Sequence, residues 1–182
     1  MKTGLTILEF YTPAAFKKRI LRRLFSATAQ AFGADMPSTK GLSCGRLLQA
    51  YALFTRAQSE KLWAERRDED EVSRQLFRNA FELGAALRRG LRIRSREDVI
   101  LASRLLYKVL GISFEGQPDG RIVIGDCYFS RFYTGRVCRL VSALDAGAAA
   151  GISDGGRLEF SQRMTEGHNS CRARLVFEDG RA

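Results

Sequence analysis

At Gly111 the spacing of apolar residues changes period, and that change limits the folds open to this chain. Before Gly111, apolar positions recur at steps of three or four, as one face of a helix requires; after it they alternate, as strands require. In the first part, Phe16, Ile20, Leu24, Ala27 and Ala31 predict a helix over residues 13–33, with Thr12 as N-cap and Pro13 at the first helical position. Lys17, Lys18, Arg19, Arg22 and Arg23 occupy its other faces. A second helix is expected over residues 46–66, with Leu47, Tyr51, Phe54 and Leu62 on or near one face. A third, over 68–89, has an acidic first turn and a basic last turn, as the helix dipole prefers, and Gly90 to stop it. A fourth begins at Ser95, where Ser95 and Asp98 resemble a capping box, and ends at Gly111.

Beyond Gly111, "ISFEGQPDGRIVIGDC" reads as strand, turn and strand, with the turn at residues 117–120. "FSRFYTGRVCRLVSALDAGAAAG" follows as a helix whose apolar stripe is Tyr133, Val137, Leu140 and Leu144, and "ISDGG" ends it. The last segment is a hairpin of "RLEFSQRM" and "CRARLVF". Leu158, Phe160 and Met164 alternate with Glu159, Ser161 and Arg163, while Cys171, Ala173, Leu175 and Phe177 share one side of the partner strand. Helices followed by β-β-α-β-β define an α+β class, a helical N-terminal part packed on a four-stranded antiparallel sheet. Residues 1–182 then form one domain, with a helical part over 1–111 and a part over 112–182 that carries the pocket.

The net charge of +10 lies entirely in residues 1–110. The run "RRGLRIRSR", Arg88 to Arg96, holds five arginines in nine residues. Such a surface suits an anionic partner or phosphates. Without interleaved aromatics it does not suit stacking on single strands, and no nucleic-acid-binding motif accompanies it. The bland alternative is a set of solvated helix faces. The N-terminal residues lack the apolar core and cleavage site of a signal peptide, and no window nears the roughly 18 apolar residues that span a bilayer. A cytoplasmic setting is expected. There Cys44, Cys127, Cys138 and Cys171 would stay reduced; their spacings of 83, 11 and 33 residues fit neither a zinc finger nor a Cys-x-x-Cys motif.

Three places carry possible chemistry. Cys138, Ser142 and Asp145 stand at i, i+4 and i+7, so they share a helix face at the edge of the apolar stripe. Asp145 there could orient a nucleophile or accept a proton. Cys127 falls where a strand gives way to a helix, a position that lowers a thiol pKa if the thiol is exposed there; the alternative, for Cys127 as for Cys138, is a packed, inert thiol. "RMTEGHNSC" places Glu166, His168 and Cys171 within six residues. It reads as a hairpin turn, with Cys171 directed to the core side and His168 solvated. Cys127, Cys138, Cys171 and His168 together could hold a metal such as zinc, although they include no closely spaced ligand pair. The residues name no cofactor.

The order from Arg121 to Phe177 is a strand ending in Cys127, a helix carrying Cys138 and then Asp145, a glycine break, and a strand leading to Glu166-Gly167-x-x-x-Cys171. In this it resembles the L-2-amino-thiazoline-4-carboxylate hydrolase family and, more widely, 4-vinyl-reductase-type small-molecule-binding domains. Tyr128 stands where the hydrolases usually carry proline, and Arg163 where the wider group carries a further cysteine. The resemblance implies that Cys127, Cys138, Asp145 and Cys171 sit near a substrate, with one thiolate as nucleophile or metal ligand and Asp145 positioning water or a proton. Phe129, Tyr133, Ser142, Glu166 and His168 would contact the substrate. The non-catalytic alternative is a module that holds an apolar or aromatic molecule among Phe129, Phe132, Tyr133 and Phe160, between sheet and helices.

Overall fold

The computed structural model describes residues 11–178. Its first part is four helices: α1 (Ala14–Phe32), α2 (Cys44–Ala64), α3 (Glu69–Leu91) and α4 (Arg96–Val109). Capping explains most of their boundaries. The Ser43 hydroxyl accepts from the Arg46 amide, a carboxylate oxygen of Asp68 accepts from the amides of Asp70 and Glu71, and the Ser95 hydroxyl accepts from Asp98. Helix α2 begins and ends two residues earlier than expected, and an end of α1 and of α3 differs too. Helix α1 starts one residue late, with Pro13 itself as the N-cap. Helix α3 runs through Gly90 and stops at Arg92, which takes the left-handed conformation with φ 53°. Leu87 and Leu91 both pack against the main core, so burial carries the helix past the glycine.

The second part is β1 (Ile112–Gly116), β2 (Arg121–Cys127), α5 (Gly135–Ser153), β3 (Arg157–Gln162) and β4 (Cys171–Val176). The strands form one antiparallel sheet in the order β1-β2-β4-β3, so the two hairpins meet through β2 and β4. The α+β class and the β-β-α-β-β order expected from the sequence are both present. Helix α5 is shorter at its start than the pattern suggested. Residues Tyr128–Arg131 form a 3-10 turn, and Thr134 then caps α5 by accepting from the Val137 amide. Phe129 is the anchor of that turn, buried between Tyr51 and Tyr133 with ring centroids 5.9 Å and 5.3 Å away. Strand β3 is also shorter: it ends at Gln162, and Met164–Glu166 form a second 3-10 turn.

One face of the sheet is buried. Phe114, Ile122, Ile124, Cys171, Ala173 and Leu175 point inward, while Val123, Arg172 and Arg174 alternate outward into solvent. Helices α4 and α5 cover this inner face, α3 packs closely along α5 and also reaches the core, and α1 and α2 close the end nearest the β2–α5 connection. None of the described helices is long and apolar enough to cross a membrane.

Candidate functional site

The sheet and helices do not fill the space between them. A cavity of about 170 Å³ lies at the centre, walled by all four strands, by α5, and by residues of α1 to α4. Its surface is mostly apolar, with Phe114, Ile122, Ile124, Phe129 and Leu144 among the contributors. Into it project a few polar groups. The Tyr107 hydroxyl, from α4, donates to Oδ1 of Asp145, from α5, at 2.9 Å. Ser142 lies one turn before Asp145 and gives its hydroxyl proton to the Cys138 carbonyl at 2.7 Å. Cys127 closes the end of β2, Cys138 faces in from α5, and Cys171 begins β4. The Sγ of Cys171 accepts from the Met164 amide at 3.4 Å.

Arg163 completes the polar set. Strict alternation along β3 would put it on the outer face with Glu159 and Ser161. A bulge between Phe160 and Gln162 reverses the parity: Phe160 stands opposite Ala173, but Gln162 stands opposite Arg172. One extra residue in one strand swaps the faces of everything after it. Arg163 therefore turns inward toward the end of β4 where Cys171 sits. Its guanidinium lies over the Phe160 ring, 4.7 Å from the centroid, a favourable cation–π position.

Burial sets the protonation of these groups. Asp145 is pushed up from 3.8 to about 6 because its charge is taken out of water; the Tyr107 hydrogen bond and the Arg163 cation pull it partly back. Tyr107 is held well above the usual phenol value by its own burial and by the neighbouring carboxylate. All three cavity thiols rise, chiefly from burial, and Cys127 reaches about 12. This reverses the expectation of a lowered Cys127 pKa. Cys127 does not sit on a helix N-terminus: the 3-10 turn separates it from α5, so no helix dipole offsets the desolvation. At neutral pH the three are thiols, which are poor nucleophiles and poor metal ligands.

Of the residues singled out in the sequence, Cys127, Cys138, Ser142, Asp145, Cys171, Phe129, Tyr133 and Phe160 all line this one cavity. Glu166, His168 and Phe132 do not. Glu166 forms an ion pair with Arg139, His168 is exposed on the turn after the second 3-10 segment, and Phe132 packs on Tyr128. The suggested Cys–His metal set is thus not assembled, and no cluster of metal-ligating side chains occurs among the described residues. The Arg88–Arg96 run is partly structural: Arg88 donates to the Ile152 carbonyl and pairs with Asp154, and Arg96 lies over Phe177, while Arg89, Arg92 and Arg94 remain exposed.

Tyr107 and Arg163 were not among the sequence candidates. Tyr107 carried one available signal, a polar-tipped side chain inside an otherwise apolar helix stripe. Arg163 carried none without the bulge. Compared with protein-family models and with curated proteins, the sequence matches none.

Proposed function

We propose that the chain is a binding domain for a small, largely apolar, ring-sized molecule held in the central cavity. One observation carries this reading: a mostly apolar cavity of about 170 Å³ on which a few polar tips converge, the Tyr107–Asp145 pair foremost. Binding sites for small molecules have this make-up, an apolar wall for affinity and sparse polar groups for orientation. A cavity of roughly 150 Å³ lined by aliphatic and aromatic side chains takes up benzene, so the size matches one ring with a small substituent. The resemblance to 4-vinyl-reductase-type domains is in keeping with it, and the four free cysteines are in keeping with a cytoplasmic setting. Toluene and indole are suitable first probes. A ligand that binds only the folded state raises the melting temperature in a concentration-dependent way. Both probes should do so, and a melting temperature unmoved by either up to their solubility limits would rule the reading out.

A second reading is a hydrolase resembling the L-2-amino-thiazoline-4-carboxylate family. It is supported by the convergence of Cys127, Cys138, Asp145 and Cys171 on the one cavity. The raised thiols weigh against a thiolate nucleophile, and for that reason it stands second. Turnover of L-2-amino-thiazoline-4-carboxylate by the purified protein, abolished by Cys127→Ala or Cys171→Ala, would move it to first place; absence of turnover leaves the binding domain.

A further inference from the structure

We infer that the ligand is an anion, a ring-sized aromatic carboxylate whose acid group is received by Arg163. The inference rests on the binding reading above and adds to it the chemical class of the occupant.

Arg163 is a cation in the wall of an apolar cavity, and the protein leaves it incompletely partnered. Its Nε is fully buried and has no hydrogen-bond acceptor. Among the described residues no carboxylate forms an ion pair with it: Glu166, three residues on, is engaged by Arg139. Asp145 lies close enough to feel the Arg163 charge, but its hydrogen bond goes to Tyr107. What Arg163 does touch is the Phe160 ring. A buried donor on a charged group without an acceptor is costly to keep, and Arg163 as a residue lines the cavity, so an acid group held there would neutralise its charge. A guanidinium presents a planar fork that matches a carboxylate in two parallel hydrogen bonds.

The other end of the cavity points the same way. Of the residues that line it, only Arg23, on α1 beside Ile20 and Leu24, is exposed. Arg19 and Arg22 are exposed on the same helix. An anion that approaches α1 meets positive charge, which raises its local concentration. The lining itself is mostly apolar, which suits a ring and not a highly hydrated ion. The volume then limits the molecule to about one ring plus its acid group.

The test uses calorimetric titration of the full chain at neutral pH with three probes of one size: benzoate, its neutral isostere benzamide, and toluene. The wild type is expected to bind benzoate about tenfold to a hundredfold more tightly than benzamide, the range of a charge-assisted hydrogen bond. Arg163→Gln should erase that preference while toluene binds as before, which also shows that the variant is folded with its cavity intact. Arg163→Lys keeps the charge and should retain part of the preference. Equal affinity for benzoate and benzamide in the wild type, or a preference that survives in Arg163→Gln, overturns the anion site and leaves the binding reading standing if toluene binds. Failure of all three probes removes the binding reading, and this inference with it.

Discussion

The two sides of α5 are built on opposite principles. Toward α3 the helix offers Gly147 and Gly151, and α3 answers with Gly84. A Cβ on Gly147 would overlap the Phe77 carbonyl oxygen, and one on Gly151 the Phe81 carbonyl oxygen; a Cβ on Gly84 would overlap the carbonyl of Ala148. The obstructing atoms are backbone, which cannot swing aside. Toward the sheet, the same helix offers Cys138, Ser142, Asp145 and Ala149, and they face a cavity of about 170 Å³. Protein interiors pack to the density of organic crystals, with few spaces larger than a water. A chain that brings two helix backbones into contact on one side of α5 is not a loosely packed chain. The space on the other side is a local feature, set where aromatic and aliphatic residues stand around a buried carboxylate.

The sharpest test of this contrast is Gly147→Ala. In an exposed helix the change would stabilise by about 1 kcal/mol through propensity. Here the added methyl has to part α5 from α3, and overpacking of this kind costs about 3 kcal/mol at the upper end of its usual range. The expected net effect is destabilisation of roughly 2 kcal/mol, with Gly147→Ala/Gly151→Ala losing more than either single variant. Denaturant midpoints decide it. A stabilised Gly147→Ala would mean that the close side is not close, and the contrast would be lost.

How far the molecule was legible in its sequence follows the range of the interactions involved. The face shared by Cys138, Ser142 and Asp145 depends only on helical periodicity, and it holds. The inward direction of Cys171 depends only on alternation within β4, and it holds too. Arg163 was misplaced because alternation was carried across a bulge that no turn residue marks. Tyr107 was missed because its partner lies 38 residues away and the contact exists only once α4 and α5 lie side by side. Cys127 admitted two readings, an activated thiol at a helix start and a packed thiol, and its burial favours the packed one. A strand end before a helix suggests exposure and a favourable dipole; enclosure by five helices and a sheet supplies neither. His168 and Glu166 are close to Cys171 in sequence, yet the hairpin turns them outward.

Asp145 gives the next test, and its sign is fixed by the direction of its shift. Its folded value, about 6, lies above the ordinary 3.8. Below the ordinary value the group is protonated in both folded and unfolded chains and costs nothing. Between that value and about 6 the unfolded chain gives up its proton while the folded chain keeps it, so stability falls across this window and levels off above it, where the folded chain holds a buried charge. Asp145→Asn removes that cost and keeps an acceptor for the Tyr107 hydroxyl. Near pH 8 the variant should exceed the wild type by on the order of 2 kcal/mol, and the gap should shrink toward zero near pH 4. A gap independent of pH would show that the carboxylate is well hydrated, and the cavity would then be open to bulk water rather than enclosed.

The smallest expected change in stability comes from Ala149→Leu, on the cavity side of α5 and two residues from Gly147. The added carbons enter existing space, so burial contributes about 2 kcal/mol. Adjustment of the neighbouring side chains takes back a similar amount, since inserted methylenes cost about 1–3 kcal/mol even where some room exists. The net shift should stay within about 1 kcal/mol of zero. Binding should respond in full: with the space occupied, the thermal shift produced by toluene in the wild type should vanish. The pair of variants thus sets a methyl that the helix cannot accept against an isobutyl group that it can. If Ala149→Leu destabilised the chain as much as Gly147→Ala, the cavity side would have no room to give. If it left toluene binding intact, the probe would be bound elsewhere.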